Sequence, residues 1–168
     1  MYNPAEAIYS DVTMDQNQPG ARQAEHSIIQ LFALVYAGSI AQVEKQFGKA
    51  GFEAARKGFL DATLRADEAE FEKIPDRSLG SFVTWLLSVI ALGFEYRYVE
   101  RSENSVRLEF TRCPWADAFR ALGRPDIGSF FCETDALLSS CFNPRIKFEK
   151  TRSLMFGDAC CDHHFYSE

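Results

Sequence analysis

Residues 94–111 read FEYRYVERSENSVRLEFT. Apolar and polar side chains alternate in both halves of this stretch, which is the period-two pattern of a strand with one buried face. Between the halves, residues 101–105 (RSENS) are polar and compatible with a turn. The stretch therefore predicts an antiparallel hairpin that packs one face on helices.

The sequence before the hairpin has helical periodicity. Over residues 23–47 apolar side chains recur every three or four positions, which predicts an amphipathic first helix. Gly48 and Gly51 are expected to break it, and a second helical segment over residues 52–74 ends at Pro75.

The most apolar stretch, Leu79 to Phe94, has 16 residues and contains three hydroxyl side chains. It is too short for a bilayer span and predicts a buried central helix instead. Asp76 or Ser78 is the expected cap, and Gly93 the expected end.

The remaining elements follow the hairpin. Helical patterns cover residues 115–122 and 127–141, and Gly123 and Asn143-Pro144 end them. Alternating residues around Ile146 and Phe148 predict a third strand, and residues 161–165 predict a short last one.

Because helices and strands are segregated along the chain, the predicted class is α+β, with N-terminal helices packed on an antiparallel sheet and further helices inserted. We expect one domain over residues 21–168. Residues 1–20, which Pro19-Gly20 closes like a turn, are expected to form a flexible N-terminal arm.

The composition of the chain argues against several classes of function. The chain has 168 residues and a formal net charge of −6, with its Lys and Arg scattered, which argues against nucleic acid and anionic membranes as partners. The N-terminus has neither a basic start nor an apolar run, so we expect a cytoplasmic protein. Five cysteines are an odd number, which favours thiol or metal chemistry over a disulfide framework.

Every cysteine and two of the three histidines lie between Cys113 and Phe165, so a site is sought there. Cys113 precedes a predicted helix, whose dipole is expected to lower the pKa of its thiol. Cys132 is followed by two acids within one helical turn, Glu133 and Asp135. The spacing is not that of a zinc ribbon, so the fold must assemble any site.

Alternation along the last strand separates its side chains into two sets. One face is expected to carry Cys161, His163 and Phe165, and the other Cys160, Asp162 and His164. Buried free cysteines are often small hydrophobic residues, and this structural reading is favoured for Cys141 and Cys160. Asp158, in the Gly157-Asp158 turn, is either a general base or a backbone acceptor.

Arginine is the side chain best suited to hold a small acidic substrate, because its guanidinium binds carboxylates bidentately. Arg124 follows a predicted helix end, where a cation also complements the helix dipole. Three further arginines near these motifs are Arg112, Arg145 and Arg152.

Five local motifs occur in an order that resembles the L-2-amino-thiazoline-4-carboxylic acid hydrolase family. They are CPWADAF (113–119), LGRPDIG (122–128), FCETD (131–135), FNP (142–144) and GDACCD (157–162). The resemblance covers about residues 80–166. The sequence differs from the family pattern at His163-His164, where an aromatic residue usually follows Cys-Asp.

The resemblance implies a cytosolic, bacterial-type enzyme that opens a small ring containing sulfur and nitrogen. It also implies a fold shared with vinyl reductase-like small-molecule domains. The positions that match the motifs of this family are Cys113, Cys132, Cys161, Glu133, Asp135, Gly157 and Asp158.

The leading hypothesis is a hydrolase that cleaves a C–N or C–S bond of an amino-acid-derived heterocycle. A thiolate or an activated water would attack the ring carbon, and an acid would protonate the departing atom. The catalytic candidates are Cys113, Cys132, Cys161, Glu133, Asp158 and His163. The substrate-binding candidates are Trp115, Arg124 and Asp135.

Two alternatives remain open. One is a related lyase or cyclase of natural-product metabolism, in which zinc is held by two or three of Cys113, Cys132 and Cys161, with His163 or a carboxylate. The other is a non-catalytic domain whose aromatic core binds a small apolar ligand. A small molecule is the expected partner, and the amphipathic first helix makes a homodimer possible.

Overall fold

The computed structural model describes residues 19–90 and 93–167, with side chains from His26 onward. The predicted arm lies outside the described residues up to residue 18, and Pro19 and Gly20 belong to the first helix. The helices are α1 (Pro19–Phe71), α2 (Leu79–Val89), α3 (Pro114–Ala121) and α4 (Pro125–Phe142). The strands are β1 (Glu95–Arg101), β2 (Ser105–Arg112), β3 (Ile146–Glu149) and β4 (Cys161–Ser167), and a 3₁₀ turn spans Leu154–Phe156.

The four strands form one antiparallel sheet in the order β1-β2-β4-β3. Helices α1 and α2 precede the sheet in sequence, and α3 and α4 are inserted between β2 and β3. The α+β class is confirmed. The last strand, β4, lies between β2 and β3, with Cys161 opposite Phe110 and His163 opposite Leu108.

The predicted hairpin is confirmed, but the prediction that both of its strands have a buried face is wrong for β1. Val106, Leu108 and Phe110 of β2 are buried, as their alternation predicts. Every residue of β1 is exposed, including Tyr96 and Tyr98. The reason is the placement of the helices, since α2 lies against β2 and β4 and α4 lies against β3.

Helix α1 runs for 53 residues through one break. Gly48 has φ 65° and ψ −157°, a backbone conformation that glycine adopts without steric cost, and it separates two helical segments as predicted. Gly51, also predicted as a break, lies inside the second segment.

The length and apolar character of helix α1 were not predicted to suit a membrane. By length and composition alone, His26–Phe71 is long and apolar enough to cross a membrane, a test that core helices of soluble proteins also pass.

The buried side chains form two clusters. The first joins α2, the sheet and the C-terminal half of α4, around Phe82, Leu108 and Phe165. The second joins the first segment of α1 to α3 and the N-terminal half of α4, around Phe119 and Phe130. Residues from both clusters meet beside the N-terminus of α3, and this junction positions the candidate site.

Candidate active site

A cavity of about 270 Å³ lies where the two buried clusters meet. Its walls are mainly apolar and include Trp85, Phe110, Trp115 and Phe131. Trp115 is held in place by stacking on Phe131, with ring centroids 4.7 Å apart. An apolar cavity with a few convergent polar groups is the usual form of a small-molecule site.

Three of the five cysteines line this cavity, and they come from three different elements. Cys113 caps α3, where its sulfur accepts the Ala116 N–H at 3.5 Å. Cys132 lies on α4, and Cys161 begins β4. The fold thus brings Cys113, Cys132 and Cys161 to the wall of one cavity.

The prediction that the helix terminus lowers the pKa of Cys113 is wrong. Burial raises the pKa of this thiol to about 12, and the hydrogen bond from Ala116 opposes that rise only in part. Burial likewise raises the pKa of Cys132 to about 11, against the opposing charge of Lys150. Desolvation of a thiolate in this apolar cavity outweighs the stabilisation by the backbone N–H groups at the start of α3.

Asp135 and His163 form a buried pair in the same cavity. His163 Nε2 lies 3.7 Å from Asp135 Oδ2, and their side chains are 11% and 15% exposed. Burial lowers the pKa of His163 and raises the pKa of Asp135, while the attraction between the two groups opposes both changes. His163 is therefore neutral near pH 7.

The other ring nitrogen of His163, Nδ1, is buried and has no hydrogen-bond partner among the described residues. The ring packs against Phe110 and Phe148 at centroid distances of 4.9 and 5.2 Å. These contacts hold the imidazole in one orientation and leave Nδ1 available to a thiol or a ligand.

Cys161 has a backbone donor at its sulfur. The Leu154 N–H donates to Sγ at 3.2 Å, and such a bond stabilises a thiolate. Cys161 and His163 share one face of β4 and both line the cavity, as the alternation predicts.

The opposite face of β4 makes structural contacts. Asp162 accepts hydrogen bonds from the backbone N–H groups of Thr151 and Arg152 at 2.9 and 2.6 Å. His164 Nε2 lies 3.1 Å from Ser105 Oγ.

Three predicted site residues have partners outside the cavity. Glu133 accepts from Arg56 Nε at 2.9 Å, in a pair that joins α4 to α1. Asp158 accepts the Ser153 N–H at 2.6 Å, which is the backbone role that the turn predicts. Arg124 is the third of them.

Arg124 was expected to hold a substrate carboxylate. The structure instead pairs its guanidinium with Asp126 at 2.8 Å and with Glu44 at 2.9 Å. This arginine therefore ties α4 to α1 and does not line the cavity.

Thr63 and Asp67 line the cavity from α1 and were not predicted as site residues. A signal was present, because Asp67 lies four residues after Thr63, a member of the apolar face of that helix. A carboxylate at this position falls on the buried side of α1. Thr134 was also missed, although it lies in the FCETD motif.

The profile of the L-2-amino-thiazoline-4-carboxylic acid hydrolase family matches residues 28–165. The chain belongs to this family. The match extends beyond the resemblance seen in the sequence, because it also covers most of α1. No curated protein matches the chain.

A solved structure shares the fold of this family member. It is a trafficking protein particle complex subunit 3 from Naegleria fowleri, covalently bound to palmitic acid, with a TM-score of 0.53 and 13% identity. The alignment covers 86% of this chain and 97% of that one.

The described residues of this hydrolase-family chain contain no ligand set for the zinc alternative. Within residues 26–90 and 93–167, no three or more His, Cys, Asp or Glu side chains form a group that could hold a metal ion. Cys113, Cys132 and Cys161 share the cavity without converging on one point in the way a metal requires.

Proposed function

We propose that this chain hydrolyses a small amino-thiazoline-type heterocycle in the cavity, by cysteine nucleophilic catalysis. The observation that carries the proposal is that three thiols and the buried Asp135–His163 pair line one apolar cavity. Membership in the L-2-amino-thiazoline-4-carboxylic acid hydrolase family supports the reaction class.

Cys161 is the proposed nucleophile. Its sulfur receives the Leu154 N–H, and it shares a strand face with His163. The raised pKa values of Cys113 and Cys132 keep these two thiols protonated at neutral pH, where a thiol is a poor nucleophile.

His163 is the proposed general base, and Asp135 is its positioning residue. Asp135 faces Nε2, which favours the tautomer with the proton on Nε2 and leaves Nδ1 as an acceptor. When the imidazole takes up a proton, the nearby carboxylate stabilises the imidazolium.

The proposed reaction has two steps. His163 Nδ1 removes the proton of the Cys161 thiol, and the sulfur attacks the ring carbon between nitrogen and sulfur. A C–N or C–S bond of the ring breaks, and the imidazolium returns its proton to the departing atom. Water then attacks the same carbon, its proton passes to His163, and Cys161 leaves and is reprotonated, so the product is substrate plus water.

A rapid acid quench followed by intact mass spectrometry tests this scheme. Because the departing atom stays tethered through the opened ring, the intermediate adds the whole mass of the substrate to the protein. With 2-amino-thiazoline and L-2-amino-thiazoline-4-carboxylate as alternative probes, we expect this addition on the peptide that contains Cys161.

Serine variants of individual cysteines show which thiol carries the adduct. Cys161→Ser should abolish the adduct, whereas Cys141→Ser, at an exposed cysteine outside the cavity, should leave it unchanged. An adduct on Cys113 or Cys132, or turnover without any adduct, would overturn the assignment of Cys161.

A second candidate function is the binding of an apolar ligand without turnover. The apolar walls of the cavity favour it, and the protein with the similar fold is covalently bound to palmitic acid. Ligand retention without ring opening would support this candidate, and turnover of a heterocycle would exclude it.

We propose the cytoplasm as the place of action and a small molecule as the partner. The five cysteines are all free thiols, a state that a reducing compartment maintains.

A further inference from the structure

The charged side chains that line the cavity are both acidic. They are Asp67 from α1 and Asp135 from α4, and no Lys or Arg is among the described residues that line it. None of the described lining residues therefore offers a counter-ion for the carboxylate of an amino-acid-derived substrate.

The cations near the cavity are not among the residues that line it. Arg56 pairs with Glu133, and Arg124 pairs with Asp126. The charge of Lys150 acts on Cys132, Asp135 and His163, but Lys150 does not line the cavity.

Asp67 differs from Asp135 because no polar side chain among the described residues faces it. Asp135 faces His163, whereas no hydrogen bond or ion pair to Asp67 is found among the described residues. Asp67 is half-buried, and burial together with the negative charge of Glu70 raises the pKa of its carboxyl. A carboxylate under these conditions gains from a cationic partner.

We propose that the substrate of this chain is a basic heterocycle that lacks a carboxylate, and that Asp67 binds its cationic amino group. This inference rests on the proposed function for the reaction, but it concerns recognition alone. It also separates this chain from the acid that gives the family its name.

Two physical arguments support this substrate class. A substrate carboxylate would be a further negative charge in an apolar cavity that already holds two acids, and burying an unpaired charge is costly. A protonated isothiourea instead forms a charge-assisted hydrogen bond to Asp67, and the indoles of Trp85 and Trp115 line the same cavity, where aromatic rings favour a cation.

The size of the cavity agrees with a single small ring. At about 270 Å³ it falls just below the range of roughly 300–1,000 Å³ that is usual for drug-sized ligands.

Tryptophan fluorescence measures binding directly, because the chain has two tryptophans and both line the cavity. The probes are 2-amino-thiazoline, which is a basic isothiourea without a carboxylate, and L-2-amino-thiazoline-4-carboxylate. We expect the wild-type protein to bind 2-amino-thiazoline at least about tenfold more tightly, which corresponds to ~1.4 kcal/mol.

Asp67→Asn should reduce this preference by about tenfold. The matched control is Asp61→Asn on the same helix, since Asp61 is exposed and pairs with Lys57. That control should retain the wild-type preference, and circular dichroism should show both variants folded.

Binding and ring opening are measured separately, so the substrate class and the hydrolase activity can fail independently. The expected preference without ring opening would support the substrate class and contradict the proposed hydrolase. Tighter binding of the carboxylated compound, binding of neither compound, or an unchanged preference in a folded Asp67→Asn variant would overturn the inference, even if the enzyme is active. If the carboxylated compound binds more tightly, a Lys150→Gln variant shows whether Lys150 is its counter-ion, because loss of that charge would then weaken its binding.

Discussion

The chemistry of His163 depends on burial and on one neighbouring carboxylate. Burial disfavours the imidazolium, and Asp135 at 3.7 Å favours it. Because burial is the larger effect, the imidazole is neutral at pH 7 and can accept a proton. The same balance makes the stability of the protein depend on pH.

His163→Gln should make stability less sensitive to acid. Burial lowers the pKa of His163 below its ordinary value of 6.5, so the unfolded chain takes up this proton at a higher pH than the folded chain. Stability rises with pH wherever the unfolded state binds more protons, so the folded protein loses stability as the pH falls below about 6.5.

Urea unfolding between pH 7 and pH 5 measures this effect. The wild-type free energy of unfolding should fall more steeply than that of His163→Gln, by up to about 1.4 kcal/mol per pH unit. Parallel curves for the two proteins would mean that His163 is not buried as a neutral group.

Thiol reactivity checks the environment of Cys113 and Cys132. With a pKa of about 11, Cys132 is about 0.1% thiolate at pH 8, and Cys113 is less ionised still. Both should therefore react slowly with iodoacetamide in the folded protein and quickly in guanidinium chloride. Fast alkylation of either residue in the folded state, located by peptide mapping, would contradict the burial that raises these pKa values.

At the scale of elements, α4 depends on a close contact with the 3₁₀ turn and α3. A Cβ at Gly128 would lie 2.5 Å from Met155 Sδ and 2.7 Å from Phe119 Cβ. Gly128→Ala should therefore destabilise the protein by about 1–3 kcal/mol through overpacking.

Gly58→Ala on α1 is the matched control, because nothing lies within 4 Å of the Cβ it would add. In this helix the change should be stabilising, by up to about 1 kcal/mol. Urea unfolding compares the two variants, and equal effects would show that α4 does not pack as closely as described.

Periodicity predicted the elements well and their burial less well. The alternation in β2 and β4 predicts their faces, because α2 lies against both strands. The same alternation in β1 does not lead to burial, since the helices lie against the other three strands. Which strands the helices cover depends on long-range packing, and no local pattern encodes it.

At the scale of the whole molecule, the sequence identified the three cavity cysteines and His163 but not their acidic neighbour from α1. Residues of β4 and α4 carried a local signal, because cysteine and histidine are rare and their motifs are compact. Asp67 lies 46 residues before Cys113 in an acidic helical stretch, and only tertiary packing brings the two to one cavity.

The exposed face of α1 bears on oligomeric state. Ile28, Leu31 and Val35 are more than half exposed, and no charged residue occurs from Ser27 to Val43. Two copies of a chain with net charge −6 can meet along such an uncharged face without repulsion, so we expect a homodimer.

Size-exclusion chromatography with light scattering tests the homodimer. The wild-type chain should elute as a dimer, and the double variant Leu31→Lys with Val35→Lys should be a folded monomer. A monomeric wild-type chain at micromolar concentration would contradict this expectation.

The central claim is that Cys161 is the nucleophile of this cavity, and steady-state kinetics on two adjacent cysteines tests it most directly. Cys161→Ser and Cys160→Ser change neighbouring buried residues at the start of β4, and of the two only Cys161 lines the cavity. Ring opening of the better-bound amino-thiazoline should fall by about a thousandfold or more in Cys161→Ser and by less than about threefold in Cys160→Ser. Wild-type rates in a folded Cys161→Ser variant would contradict the claim.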